Sequence, residues 1–93
     1  MFLGNYSLAD TFAVLRELGF IQHDDDVRFW DSPKSYEDGW PKCQLFVYKN
    51  SLQYYVVDTT FRYDDYTWCS GVANDEDKHE FIQFLNEHCP DYR

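Results

Sequence analysis

Three groupings of side chains in this sequence could do chemistry, and each lacks a part that its chemistry requires. Cys69-Ser70-Gly71 with His79 or His88 offers a nucleophile and a base. A thiol becomes nucleophilic when a cationic setting lowers its pKa, and the residues around Cys69 are strongly anionic, so this cysteine reads as structural. His23 followed by Asp24, Asp25 and Asp26 offers oxygen atoms to a hard cation, but the run has neither the spaced ligands nor the glycine of a calcium loop. Carboxylate pairs that might flank a glycosidic bond are too easily found: among 17 acids some pair always falls at a suitable separation.

Other catalytic and cofactor signatures are missing. There is no Cys-x-x-Cys or His-x-x-x-His spacing for zinc, and the glycines at 4, 19, 39 and 71 are too scattered to cradle a phosphate. The reading is of a protein that is not an enzyme and takes no metal or cofactor. Cys43, Cys69 and Cys89 are an odd number at wide spacings, which fits reduced thiols better than a disulfide framework.

The chemistry that is present is collective charge. The chain of 93 residues carries 17 Asp and Glu against 8 Lys and Arg, a net charge of −9, together with 8 Phe, 8 Tyr and 3 Trp. Disordered acidic tails are poor in aromatics, so this combination implies one folded domain over residues 1–93, with a ring-rich core and the acids on its surface. Residues 1–22 sum to −1, 23–42 to −3, 43–63 to +1 and 64–93 to −6, which leaves the middle of the chain nearly neutral and loads its turns and C-terminal part. Asp75, Glu76 and Asp77 fall in the first turn of an expected helix, where the helix dipole favours carboxylates by roughly 0.3–1 kcal/mol. Asp24, Asp25, Asp26, Asp64, Asp65, Glu80 and Glu87 have no such local reason, and neighbouring carboxylates repel one another unless a cationic partner compensates. These seven are the expected anionic contacts, with Trp40 and Tyr66 as apolar anchors among them.

The elements that position these residues follow from hydrophobic spacing. Ser7-Leu8-Ala9-Asp10 forms a capping box, Leu8, Phe12, Leu15 and Leu18 make one helical stripe, and Gly19 ends the helix with Phe20 closing back onto its last turn. The charged run His23 to Asp26 reads as a turn between Phe20-Ile21-Gln22 and the short strand Val27-Arg28-Phe29-Trp30. Asp31 to Lys42, with Pro33, Gly39 and Pro41, reads as a long loop. Cys43 to Lys49 and Leu52 to Phe61 are strands, and a two-residue Asn50-Ser51 turn between them would place Leu45, Val47, Tyr54 and Val56 on one face and Phe46, Tyr48, Tyr55 and Val57 on the other. After a turn at Asp64-Asp65 comes a strand from Tyr66 to Val72. A second helix capped by Asn74 then carries the stripe Phe81, Ile82 and Leu85 and stops before Pro90. The expected fold is α+β: an antiparallel sheet of three to four strands with an N-terminal and a C-terminal helix on one face. The other face is also apolar or aromatic, and is left to be covered by a loop, by a partner, or by nothing.

The first residues carry neither a basic leader nor a long apolar run, so the expected location is cytoplasmic, in the host cell if the chain is viral, with no membrane partner. An acidic surface does not take nucleic acid directly, since duplex DNA carries one negative charge per roughly 1.7 Å of axis. It does suit the basic channel of a protein that binds nucleic acid, such as a nuclease or a CRISPR effector. In size and composition over the whole chain the protein resembles the phage-encoded anti-defence proteins, the anti-CRISPR and anti-restriction inhibitors that imitate DNA. That resemblance implies stoichiometric inhibition of a basic nucleic-acid-handling protein. Two other readings use the same features: an immunity or antitoxin protein that neutralises a basic toxin, and an interaction module that works through an exposed aromatic sheet face. The partner set also includes a second copy of the chain, as a homodimer.

Overall fold

The computed structural model describes residues 8–49, 55–61, 65–68 and 75–93, with residues 65–68 and 75 described by their backbone alone. The elements run α1 (Leu8–Glu17), β1 (Ile21–Gln22), β2 (Phe29–Asp31), β3 (Cys43–Lys49), β4 (Tyr55–Phe61), β5 (Asp65–Trp68) and α2 (Asp75–His88). All neighbouring strands are antiparallel and lie in chain order, so the sheet is a meander of four longer strands with the two-residue β1 added at its edge. The α+β expectation, an antiparallel sheet flanked by an N-terminal and a C-terminal helix, is what the chain forms.

Local chemistry explains where α1 stops. Gly19 adopts φ of +92°, its N–H donates to the Arg16 carbonyl at 3.0 Å, and the Phe20 N–H donates to the Leu15 carbonyl at 3.0 Å. This is the Schellman arrangement, in which a left-handed residue lets two backbone donors turn back onto the last helical carbonyls. Pro33 lies against Gly19, where an added Cβ would meet the ring at 3.4 Å. The capping residues Ser7 and Asn74 lie outside the described residues.

Both helices pack on the same face of the sheet. Leu45, Val47, Val57 and Phe61 are buried there with Trp30, against Leu15 and Leu18 of the α1 side and Phe81 and Leu85 of α2. Phe12 meets Trp30 at 5.0 Å between ring centroids, and Phe84 meets Phe61 at 6.3 Å. On α2 the buried positions Asp77, Phe81 and Leu85 recur every fourth residue, which is one helical stripe, and Cys89 just past its end continues the spacing. Lys78 Nζ, 2.5 Å from Glu17 Oε1, ties the two helices together on their outer side. Tyr92, 1% exposed, stacks on Phe20 with 5.5 Å between centroids, and its carbonyl accepts the Lys34 N–H. Tyr92 is therefore part of the core.

The β3–β4 register corrects the two-residue turn. Lys49 pairs with Tyr55, Val47 with Val57 and Leu45 with Thr59, so residues 50–54 make the connection and β4 is shifted by three positions relative to an Asn50-Ser51 turn. An odd shift reverses the faces of a strand. Tyr55 and Val57 join Leu45 and Val47 on the helix side, while Val56 joins Phe46 and Tyr48 on the other. The physical reason is Asp58: the shorter turn would have aimed this carboxylate into the helix-packed core, whereas the observed register places it opposite Phe46, on the outer face.

Two strand boundaries also differ from expectation. β2 begins at Phe29 rather than Val27, because Asp26 Oδ1 accepts the Arg28 N–H at 3.1 Å and its carbonyl accepts the Phe29 N–H, holding Val27 and Arg28 in a turn. Asp65 belongs to β5, paired with Thr60, and not to the turn before it. Residues 62–64 and 69–74, which include Asp64, Cys69 and the end of the expected Tyr66 to Val72 strand, lie outside the described residues.

Candidate partner-binding surface

The face of the sheet turned away from the helices carries a row of rings. Phe29 and Phe46, paired across β2 and β3, stack with 4.7 Å between centroids, and Phe46 stacks on Tyr48 at 5.0 Å. The Arg28 guanidinium lies 5.1 Å from the Phe46 ring centroid, and His23 meets Phe29 at 5.8 Å. No described helix covers these rings. All three large apolar side chains exposed among the described residues border this side: Ile21 at 62% and Val27 at 55% toward β1, and Trp40 at 62% beside Gln44 and Thr60. Asp58 sits among them with one carboxylate oxygen shut off from solvent and given no hydrogen-bond donor.

Some of the charges of the β1–β2 turn pair with one another at the surface. Arg28 donates from Nε to Asp26 Oδ1 at 3.0 Å and from Nη2 to Oδ2 at 2.8 Å, a two-pronged pair that holds the Asp26 carboxyl down at about 2. His23 Nε2 lies 2.9 Å from Asp31 Oδ1, which also accepts from Gln44 Nε2 at 3.0 Å, and His23 Nδ1 lies 3.9 Å from Asp25. The contact with Asp31 raises the His23 pKa above its ordinary value against the opposing effect of burial, with the Asp25 and Asp26 charges adding to it. Asp24 has no ion-pair partner among the described residues.

The segment after Ser32 is more ordered than a loop free of periodicity suggests. Ser35 and Pro41 form an antiparallel bridge, Lys42 N–H donates to the Lys34 carbonyl at 3.1 Å, and Tyr36 N–H donates to the Trp40 carbonyl at 2.7 Å. Gly39, at φ +92°, closes the tip with its N–H on the Tyr36 carbonyl, and Asp38 Oδ1 accepts the Trp40 N–H at 3.2 Å. The result is a small hairpin over 34–42 whose tip carries Glu37 and Asp38 and whose side carries Trp40. Its base is fixed by Ser32, which donates to the Lys34 carbonyl and accepts the Cys43 N–H, and by Lys42, 2.5 Å from Asp91.

The expected contact residues are distributed over the molecule. Asp24, Asp25 and Asp26 lie in the turn at the β1 edge, and Asp65 begins β5 at the opposite edge, about 19 Å away at the usual strand spacing. Glu87 and the half-buried Glu80 lie on α2, in the layer behind the sheet. Trp40 is on the hairpin, and Tyr66 is paired in register with Thr59. The structure thus brings together Asp24, Asp25 and Asp26, and separates them from Glu80 and Glu87. Sequence reasoning placed Phe46 and Tyr48 together on one side of a strand but missed Asp31 and Phe29 as parts of the same face. Glu37 and Asp38 were absorbed into an unstructured loop, and the Asn/Asp-Gly signal at Asp38-Gly39 is what could have found the hairpin.

Reactive chemistry has no support among the described residues. Cys43 and Cys89 are free and buried, and burial pushes both thiols up, with the neighbouring Cys89 adding to the shift at Cys43 and Asp91 to that at Cys89. No group of His, Cys, Asp and Glu among the described residues is arranged to hold a metal ion, and no described helix is long and apolar enough to cross a membrane. No protein-family model, curated protein or solved structure matches this chain.

Proposed function

We propose that this protein is a stoichiometric inhibitor that binds a basic, nucleic-acid-handling protein, a nuclease or CRISPR effector, and keeps nucleic acid from its binding channel. The reading carries no catalysis and no cofactor, and it places the protein in the cytoplasm, that of the host cell if the chain is viral. One observation supports it above the rest: several bases are engaged by a neighbouring carboxylate or ring, while several exposed or half-buried acids have no such partner among the described residues. Arg28 is held by Asp26, Lys42 by Asp91 and Lys78 by Glu17, and Arg16 lies over the rings of Phe12 and Trp30. Asp24, Glu37, Glu76, Glu80 and Glu87 have no ion-pair partner among the described residues. With a net charge of −9, these acids leave the surface field negative. A cationic channel built for phosphates is complementary to it, and association with such a channel is accelerated by long-range attraction.

A second reading is favoured by the ring-bearing sheet face, which offers apolar area without needing charge: an interaction module that binds through Phe29, Phe46 and Tyr48. The two differ in their response to salt. Titration of the purified protein against a panel of purified nucleases and DNA-binding proteins, at low and high ionic strength, measures the difference. The inhibitor reading expects one-to-one binding that weakens steeply with salt and loss of nucleic-acid cleavage in proportion to complex formed. Binding that ignores salt would replace it with the second reading.

A further inference from the structure

We infer that the 34–42 hairpin is the prong by which this protein engages its partner, and that the partner presents an apolar pocket with an Arg or Lys side chain at its rim. The inference rests on the inhibitor reading and assigns its contact site.

Trp40 is the starting observation. A fully burying Trp contributes more to association than almost any other side chain, and it does so best when it is already fixed in place. Here it is 62% exposed, yet its own N–H and carbonyl are both hydrogen-bonded within the hairpin. Exposure of a large ring on a backbone held this firmly has no folding rationale. The core is complete without it: Trp30, Phe81 and Tyr92 fill the interior at 1% exposure or less. The part of Trp40 that is covered rests beside Pro41, Gln44, Thr60 and Phe61 at the end of the sheet.

The chemistry beside Trp40 specifies the rest of the partner. A shallow groove of about 550 Å³ is lined by Ser35, Tyr36, Glu37, Asp38 and Lys42. Its one cation is turned to a neighbour: Lys42 Nζ lies over the Tyr36 ring at 4.9 Å and is paired with Asp91, which raises the lysine pKa and lowers that of Asp91. Glu37 has no ion-pair partner among the described residues, and it faces the same groove. A guanidinium or ammonium laid against this wall meets a carboxylate whose charge no described cation offsets. An anionic ligand, nucleic acid included, meets carboxylates on the groove wall where it needs donors. A second copy of this chain brings a further −9 to the same surface, so self-association is disfavoured as the occupant.

The test uses two short cationic peptides of equal charge, one alternating Arg with Leu and one alternating Arg with Ser, titrated at low salt against the full chain. Calorimetry and tryptophan emission are read together. The chain has three Trp, of which Trp30 is already enclosed; a blue shift on binding that W40F abolishes and W68F retains is assigned to Trp40. The expected result is that the Arg–Leu peptide binds about tenfold tighter than the Arg–Ser peptide, and that Trp40→Ala removes this preference while leaving the melting curve unchanged. Glu37→Gln is expected to weaken both peptides and to flatten the salt dependence. Equal affinity of the wild type and Trp40→Ala for the Arg–Leu peptide would overturn the assignment. If Glu80→Gln with Glu87→Gln then abolished binding that Trp40→Ala had left intact, the hairpin would be excluded while the charge-driven reading stood. If neither peptide bound the wild type at low salt, both would fall.

Discussion

The two faces of this sheet are built from similar residues and do different work. On the helix side, Leu45, Val47, Val57 and Phe61 are enclosed by α1 and α2, and every ring has a neighbour from another layer. On the outer side, Phe29, Phe46 and Tyr48 stack in a row, with Arg28 over Phe46 and His23 beside Phe29, and no described helix lies over them. Hydrophobicity alone does not tell the two apart. What separates them is the placement of one carboxylate, Asp58, which fixes which face can afford to be closed. The lesson for an acidic, ring-rich chain is that aromatic content supplies both a core and a surface, and that register decides how it is divided.

The largest expected effect sharpens that division. Phe81→Ala removes a ring with no exposure from between the layers, and such truncations cost about 3–5 kcal/mol, a large part of the stability of a domain this size. Chemical denaturation should show it as a shift in midpoint at constant slope. Phe46→Ala, on the outer face, should cost about 1 kcal/mol, lowering the melting temperature by roughly 4–8 °C, because a half-buried ring leaves no closed cavity. Equal losses for the two would mean that the outer face is core as well, and the contrast drawn here would break.

A smaller effect runs in the opposite direction. Asp58→Asn gives the enclosed oxygen position a neutral group in place of a charged one, and a buried unsatisfied polar atom costs about 1–3 kcal/mol. A gain of up to about 1 kcal/mol in thermal stability is expected, since part of the carboxylate remains in water. If a partner provides the missing donor, the same variant should bind that partner more weakly.

The smallest effect is a pH dependence. The folded state raises the His23 pKa above the ordinary 6.5, so the protonated form favours folding. That contribution is complete below the ordinary value and is lost as pH rises through the raised one. Melts from about pH 5.5 to about pH 8.5, on either side of the imidazole range, should show stability falling across the upper part of the window, and His23→Gln should remove that fall. Asp26 has the opposite sign: its contribution is present above the ordinary carboxylate value and fades only as pH drops toward about 2.

Much of the fold could be read from the chain because its signals are local. Gly19 after a four-and-three stripe ends α1, the Val, Tyr and Thr runs make β3 and β4, and Phe81 and Leu85 define the buried side of α2. The faces of β4 could not be read, because they depend on the length of the connection at 50–54, and Asn50-Ser51 satisfies a turn rule that the tertiary structure overrides. The candidate site was legible as composition and illegible as geometry. Asp26 looks the same in a sequence whether it points outward or, as here, grips Arg28. Trp40 could be singled out as an anchor, but its hairpin is held by backbone hydrogen bonds and by contacts with Asp91 and Tyr92, about 50 residues away in the chain, which no local pattern records.

The seating of Tyr92 has a practical consequence. Its ring is wedged against Phe20 and its carbonyl is bound to the Lys34 N–H, so a truncation that removes Tyr92 takes away core packing and a backbone partner in one step. Loss of the same few residues would also loosen the root of the Trp40 hairpin.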